Sequence, residues 1–340
     1  MTAFQKLKIA CILPVYNVGK YLEETLVCLE EQIYKEFKVF AVNDGSRDNS
    51  LELLKKHAKI FPNLIIIDQS NQGLPGARNS ALDAIETSQE KFDLIAFIDS
   101  DDLYAKNYFE EMVAPFENEE VDFVSAGWCN FDLRGKEKTG TFPPEKFSFS
   151  SSDKDLVDHI FQLNKWSGHP AVCKALNNKI FRAEIIKGSR FDVSLKSCED
   201  QDWLIPQLKK FRICATVNSI LYFKRRRSSS ISHLNANWQT ELKTFKKLYE
   251  LPSLQGGYVQ TCLKNKLIEG VWNEFSHELE KSEKTPLLKE SYNIVRNFDS
   301  EGLTNKQRKR LSILKLGKTI TSVYFRLMPK KKHNPKDSFK

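Results

Sequence analysis

The sequence predicts an α/β protein with a mostly parallel central sheet, helices on both of its faces, and a C-terminal helical region. Three observations carry this. Over the first hundred residues, short apolar runs alternate with stretches of helical spacing, and each apolar run ends in a polar or glycine-containing turn. Such alternation is the mark of strand–helix–strand units, whose crossovers build a parallel sheet covered on both sides. From about Trp238 onward the apolar residues recur at helical spacing. Finally, 340 residues with 41% hydrophobic content are enough for one large domain and an appendage.

Residues 7–13 read as the first strand, and Pro14, which has no N–H to donate, is expected to end its ladder. Leu22, Leu26, Leu29 and Ile33 follow at helical spacing. Residues 37–42 form the second strand, closed by the turn Asn43-Asp44-Gly45-Ser46, and Leu51, Leu54 and Ala58 mark the next helix. Residues 64–67 are the third strand; a helix after Pro75 carries Ala81, Leu82 and Ile85. Residues 94–98, five apolar positions closed by acids, are the fourth. Beyond Asp102 the pattern loosens. Residues 121–126 read as a strand, 135–152 as a polar loop, 156–163 as helical, and 213–217 and 220–223 as two strands.

The chemistry-bearing residues stand where these strands end, and in open α/β sheets ligands bind beyond the carboxyl ends of the strands. Asp99-Ser100-Asp101-Asp102 closes the fourth strand, and carboxylates spaced i, i+2 on a turning chain converge on hard cations such as Mg²⁺ or Mn²⁺. Alone, such a pair is more often a solvated acidic turn. Pro14-Val15-Tyr16-Asn17 follows the first strand and offers a flat ring and an amide, or simply a turn. In the turn after the second strand, Asp44 and Ser46 offer acceptors for a base or ribose, and Gly45 permits close approach. Asn71, Gly73 and Arg78 follow the third strand; Arg78 could meet a phosphate or pair with an acid at the sheet end. A hundred residues beyond the acid turn, Cys198-Glu199-Asp200-Gln201-Asp202-Trp203 puts Asp200 and Trp203 on one helical face. An acid beside a buried aromatic suits general-base work, and an acidic first turn also complements a helix dipole.

Taken in order, these five segments resemble the family 2 glycosyltransferases over roughly residues 5–235. The resemblance implies a GT-A fold and inverting transfer of a hexosyl or N-acetylhexosaminyl group from a nucleotide-sugar to an acceptor hydroxyl. It implies that Pro14, Val15, Tyr16, Asn17, Asp44, Ser46, Asn71 and Gly73 line the donor site. Arg78 would approach the diphosphate, Ser100 would belong to the donor site, Asp99 would touch the ribose or the metal, and Asp101 would bind the metal, Mn²⁺ or Mg²⁺. Asp200, with Glu199 beside it, would be the base. Residues 222–232 resemble the basic, serine-rich segment that closes this domain; among Arg225, Arg226 and Arg227, Arg227 aligns best with a diphosphate contact. The chain lacks the Gln-x-x-Arg-Trp segment of processive synthases, which favours addition of single sugars, to a lipid-linked or polymeric cell-surface glycan. A membrane-associated assembly partner with a non-productive GT-A domain is the competing reading; the two intact acid sets weigh against it.

Charge divides the chain further. Residues 303–340 hold twelve Lys/Arg and one acid, a net +11, which leaves −3 for residues 1–302. A slightly acidic body argues against nucleic acid as partner. Ile313, Leu316, Ile320, Tyr324 and Leu327 share one side of a helix opposite Lys315, Lys318, Ser322 and Arg326, ahead of Lys330-Lys331-Lys332. Such a basic amphipathic segment suits an anionic membrane surface, and equally a helix packed on the body. No run reaches about 18 apolar residues and no signal peptide is evident. Seven cysteines without paired spacing fit reduced thiols. The expectation is a cytoplasmic protein, peripheral at the inner face of the membrane, with a catalytic domain at 1–235, a helical region at 236–302 and a basic tail at 303–340.

Overall fold

The computed structural model describes residues 6–131, 137–141, 148–150, 175–226, 238–278, 286–317 and 321. The chain divides into two compact units, Met1–Ala236 and Asn237–Lys340.

In the first unit, β1 (Ile9–Val15), α1 (Gly19–Glu30), β2 (Phe37–Asp44), α2 (Ser50–His57), β3 (Leu64–Gln69), α3 (Gly73–Glu86) and β4 (Leu94–Phe97) alternate as the apolar runs predict. The first four strands lie in the order β3-β2-β1-β4 and are parallel throughout. Every residue of β1 is buried, because helices cover both faces of a central parallel strand and leave no polar side. Contrary to expectation, β1 continues through Pro14, which pairs with Val42. The Ile12 carbonyl accepts from Ile98 N–H (2.9 Å), so Ile12 faces β4. Pro14, two residues on, faces the same way, past the end of β4, where no ladder donor is needed.

The rest of this unit comprises β5 (Leu103–Tyr104), α4 (Tyr108–Val113), β6 (Val121–Phe131), β7 (Glu137–Thr141), β8 (Ser148–Ser150), β9 (Lys179–Arg182), α5 (Ala183–Ile186), α6 (Glu199–Gln207) and β10 (Ile213–Arg225). The sheet extends as β4-β9-β6-β10-β5. β9 is antiparallel to both β4 and β6, whereas β10 is parallel to β6. The two strands expected near residues 213–223 are one strand, with a register shift between Val217 and Ile220. Part of the stretch expected as loop is also strand: β7 pairs with β6 and β8 with β10. The helical spacing at 156–163 lies outside the described residues.

The second unit is helical: α7 (Trp238–Glu250), α8 (Gly257–Glu278), α9 (Pro286–Arg296) and α10 (Asn305–Lys315). Leu242, Phe245, Leu263, Leu267, Val271, Leu288, Tyr292, Leu311 and Leu314 are buried. Thr304 caps α10 by accepting from Gln307 N–H (3.2 Å). α10 departs from the sequence expectation in both register and length. Its buried positions are Gln307, Leu311 and Leu314, while Leu316 is exposed. It ends at Lys315, with Gly317 at φ +104, a conformation that an uninterrupted helix through residue 327 excludes. Residues 318–320 and 322–340 lie outside the described residues. Among the described residues no helix is long and apolar enough to cross a membrane.

Candidate active site

The strand order reverses between β1 and β4, and the turn leaving β4 lies at that switch point, where open α/β sheets take their ligands. One carboxylate oxygen each of Asp99, Asp101 and Asp102 lies within 4.8 Å of the others. The three acids differ in what holds them. Asp102 is 2% exposed. Its Oδ1 accepts from Arg225 N–H (2.7 Å) and its Oδ2 from the Tyr222 hydroxyl. Burial, then the charges of Asp101 and Asp99, push its carboxyl well above the usual range. Asp102 therefore ties the turn to β10, and the half-buried Asp99 and Asp101 are left as the acids of this turn that suit a cation.

The turn's backbone is clamped as well. Thr25 Oγ1 reaches the carbonyls of the buried Ser100 (3.1 Å) and of Asp102 (2.8 Å), and Asp99 N–H donates to the Tyr104 hydroxyl (3.0 Å). Arg225 donates from Nε to the Asp101 carbonyl (2.8 Å) and from Nη2 to Glu24 (3.0 Å). Its guanidinium lies over the rings of Tyr21 and Phe131. Arg225 is thus spent inside the protein, and Arg227 lies outside the described residues.

The loops after β1, β2 and β3 are tied to one another. Asn17, at φ +50, donates its N–H to Ser46 Oγ (3.1 Å) and accepts from Arg47 N–H at Oδ1 (2.8 Å). Asn71 Nδ2 donates to the Asp44 carbonyl (2.9 Å). Gly45, at φ +69, passes so close that a Cβ there would sit 2.9 Å from Asn71 N. Asp44, placed by the sequence near a base or ribose, is 2% exposed and engaged internally. Its Oδ1 accepts from Gln69 Nε2 (2.7 Å) and Gln72 N–H (2.8 Å), and its Oδ2 from Gly73 N–H (2.9 Å). A carboxylate there satisfies the free N–H groups that begin α3 and complements its dipole. Pro14 and Val15 are buried in the strand end, whereas the Tyr16 ring is 46% exposed.

Arg78 links the strand-end acids to those of α6. The residue is 3% exposed. Nη1 lies 2.6 Å from Asp200 Oδ1 and 3.7 Å from Glu199 Oε1, and Nη2 lies 3.9 Å from Asp99 Oδ1. The rings of Phe191 and Phe97 flank it at 5.2 and 5.9 Å. Burial pulls the guanidinium down, but Asp200, Glu199 and Asp99 outweigh it and leave it above its ordinary value. Of the two partners the sequence left open for Arg78, this structure has the acids. At Glu199 burial prevails instead: burial, then Asp200, push its carboxyl up against the pull of Arg78. α6 is anchored as the Asp200–Trp203 spacing predicts. Trp203 is buried, stacked on Phe191 at 5.2 Å, with Phe97 and Phe181 edge-on.

Sequence reasoning missed Asn177 and Tyr222, whose side chains meet Asp99 and Asp102. No spacing joins positions 78 and 45 residues apart; only the placement of β9 and β10 brings them together. The next two residues, Asn178 and Lys179, bond within the protein: Asn178 Nδ2 donates to the Ala126 carbonyl (2.8 Å) and Lys179 Nζ to that of Ala175 (2.6 Å).

An α/β sheet with acids at its switch point and a second acid set facing them across an arginine marks the place where such a sheet takes a ligand. The family described as "Glycosyl transferase family 2" matches residues 10–186, and the chain belongs to that family. Glycosyltransferase GlyA of Streptococcus pneumoniae is 27% identical over 191 residues, 55% of this chain and 26% of that protein. Poly(ribitol-phosphate) beta-N-acetylglucosaminyltransferase TarS of Staphylococcus aureus is 27% identical over 202 residues, 57% of this chain and 31% of that protein. The chain thus spans less than a third of either relative. The crystal structure of S. aureus TarS 1-349 in complex with UDP-GlcNAc superposes with a TM-score of 0.67 at 18% identity, covering 94% of this chain and 90% of that one. The fold is of the GT-A type.

Proposed function

We propose that this chain is a metal-dependent, inverting glycosyltransferase. It moves one sugar from a nucleotide-sugar, UDP-linked, to a hydroxyl of a lipid-linked or polymeric cell-surface glycan. The observation that carries the reading is the convergence of Asp99 and Asp101 at the end of β4 with Glu199 and Asp200 at the start of α6, on either side of Arg78. TarS, bound to UDP-GlcNAc and named for a poly(ribitol-phosphate) acceptor, supports the donor and acceptor classes.

The oxygen-only donor set fits a hard divalent cation, Mn²⁺ or Mg²⁺, held by Asp99 and Asp101. When bound, that cation supplies neutralising charge to the departing nucleoside diphosphate. Tyr16 offers its exposed ring to the base. Asn17, Ser46, Asn71 and Gly73 shape the loops around it, with Asp44 as their common anchor. Arg78 holds Asp200 in one orientation, and Asp200 takes the acceptor's proton as the acceptor oxygen attacks the anomeric carbon. The net +11 of residues 303–340 brings the protein to the anionic cytoplasmic face of the membrane.

The test is a panel of nucleotide-sugars incubated with the full chain, with and without Mn²⁺, read as release of nucleoside diphosphate. One UDP-sugar should be hydrolysed only with metal. Asp101→Ala should abolish transfer and remove the metal-dependent part of UDP affinity. Equal UDP affinity with and without Mn²⁺ in the unmodified protein would sink the metal assignment.

A further inference from the structure

Asp99 is held from behind by a residue outside every sequence motif. Asn177, 5% exposed, donates from Nδ2 to Asp99 Oδ2 and to the Tyr222 hydroxyl (2.6 Å). Tyr222, buried in β10, donates in turn to Asp102 Oδ2. The other Asp102 oxygen accepts from Arg225 N–H (2.7 Å). An ionised carboxylate only accepts, so the amide nitrogen of Asn177 faces Asp99. Asn177 Oδ1 is buried and has no hydrogen-bond partner among the described residues. The side chain's two hydrogen bonds therefore both run through Nδ2, to Asp99 and to Tyr222.

We propose that Asn177 is a positioning residue that fixes Asp99 for cation binding, and that Tyr222 fixes Asn177 in turn; this rests on the metal-dependent reading above. Three carboxylates within 4.8 Å repel one another without a cation, and Arg78 Nη2, 3.9 Å from Asp99 Oδ1, attracts Asp99 toward α6. A neutral donor on Oδ2 opposes that rotation without competing for the cation. The orienting cost is met in the fold before the ligand arrives, as it is for metal-binding side chains whose outer hydrogen bonds fix them.

The experiment measures Mn²⁺ affinity of the full chain by electron paramagnetic resonance at saturating UDP, and UDP affinity in EDTA. Asn177→Ala and Tyr222→Phe should each weaken Mn²⁺ binding, by about 10–100-fold for the former and toward the lower end for the latter. UDP affinity in EDTA should not change, which separates positioning from general damage. Should Asn177→Ala fail to fold, Tyr222→Phe decides, since it keeps its ring against Tyr104 (centroids 5.4 Å apart). Wild-type protein that binds no Mn²⁺ overturns the metal reading and this inference with it. Wild-type protein that binds Mn²⁺, with folded variants binding it equally tightly, overturns the positioning role alone.

Discussion

Arg78 is a buried positive charge, and three partly exposed acids compensate it. A buried charge in that position is tolerated only while its partners remain, and losing one side leaves the others uncompensated. The pairing also bears on catalysis, because a base must be held still before it can take a proton. Asp200→Asn should leave donor affinity nearly intact while lowering the transfer rate by about 10²-fold or more. Single-turnover kinetics at saturating donor measures this; a rate that barely changes would make another acid the base, Glu199 or Asp202. Glu199 carries its own signature. With its carboxyl raised, the folded chain binds more protons than the unfolded chain between the ordinary glutamate range and the raised value. Its contribution is therefore lost as pH rises through that window. In EDTA, urea midpoints of the wild type should fall relative to Glu199→Gln as pH climbs from about 4.5. Parallel curves would remove Glu199 from the strained acid set.

At the scale of an element, the turn between β2 and α2 is constrained where Gly45 passes Asn71. Gly45→Ala places a Cβ 2.9 Å from a backbone nitrogen at φ +69, a conformation that costs a non-glycine residue about 1–3 kcal/mol. We expect a stability loss of that size by chemical denaturation, with weaker UDP binding, because Asn71 and the Asp44 anchor move with the turn. A neutral result would mean that the loop relaxes freely. The same region explains what could be read in advance. β1, β2 and β4 are buried on both faces and β3 is largely half-buried, so each is a plain apolar run with a polar turn after it, and the site residues inherit their positions from those ends. β9 has four residues and β5 two, too few to show a period. β7 and β8 are strands by pairing on β6 and β10, with polar composition. Asp44 stood out in the sequence as a strand-end acid, yet its internal bonds to Gln72 and Gly73 were not legible. They depend on where β3 hands the chain to α3.

For the whole molecule, charge and packing draw the tail's boundary in different places. Charge alone makes residues 303–340 one basic segment. Packing does not, because Leu303, Leu311 and Leu314 are buried and the Tyr292 hydroxyl donates to the Leu314 carbonyl (2.8 Å). Removing three buried leucines costs about 2–5 kcal/mol each, comparable to the stability of a whole domain. A chain ending at residue 302 should therefore lose the cooperative unfolding of the helical unit, and its failure to bind vesicles would say nothing about membranes. The informative truncation removes residues 322–340, which carry six Lys/Arg against Asp337, a net +5, and keeps Thr321, whose hydroxyl bonds to the Ile313 carbonyl (3.1 Å). Each basic side chain near an anionic surface contributes about 1 kcal/mol, and 1.4 kcal/mol is a factor of ten. Losing even two such contacts should lower partitioning onto phosphatidylserine vesicles by more than tenfold, and raised salt should weaken the intact chain in the same way. Turnover on a small soluble acceptor should survive, because every residue assigned to chemistry precedes residue 228. Turnover on a lipid-linked acceptor should fall as surface confinement is lost. A truncated protein that still folds, and still binds vesicles as the full chain does, would exclude residues 322–340 as the anchor.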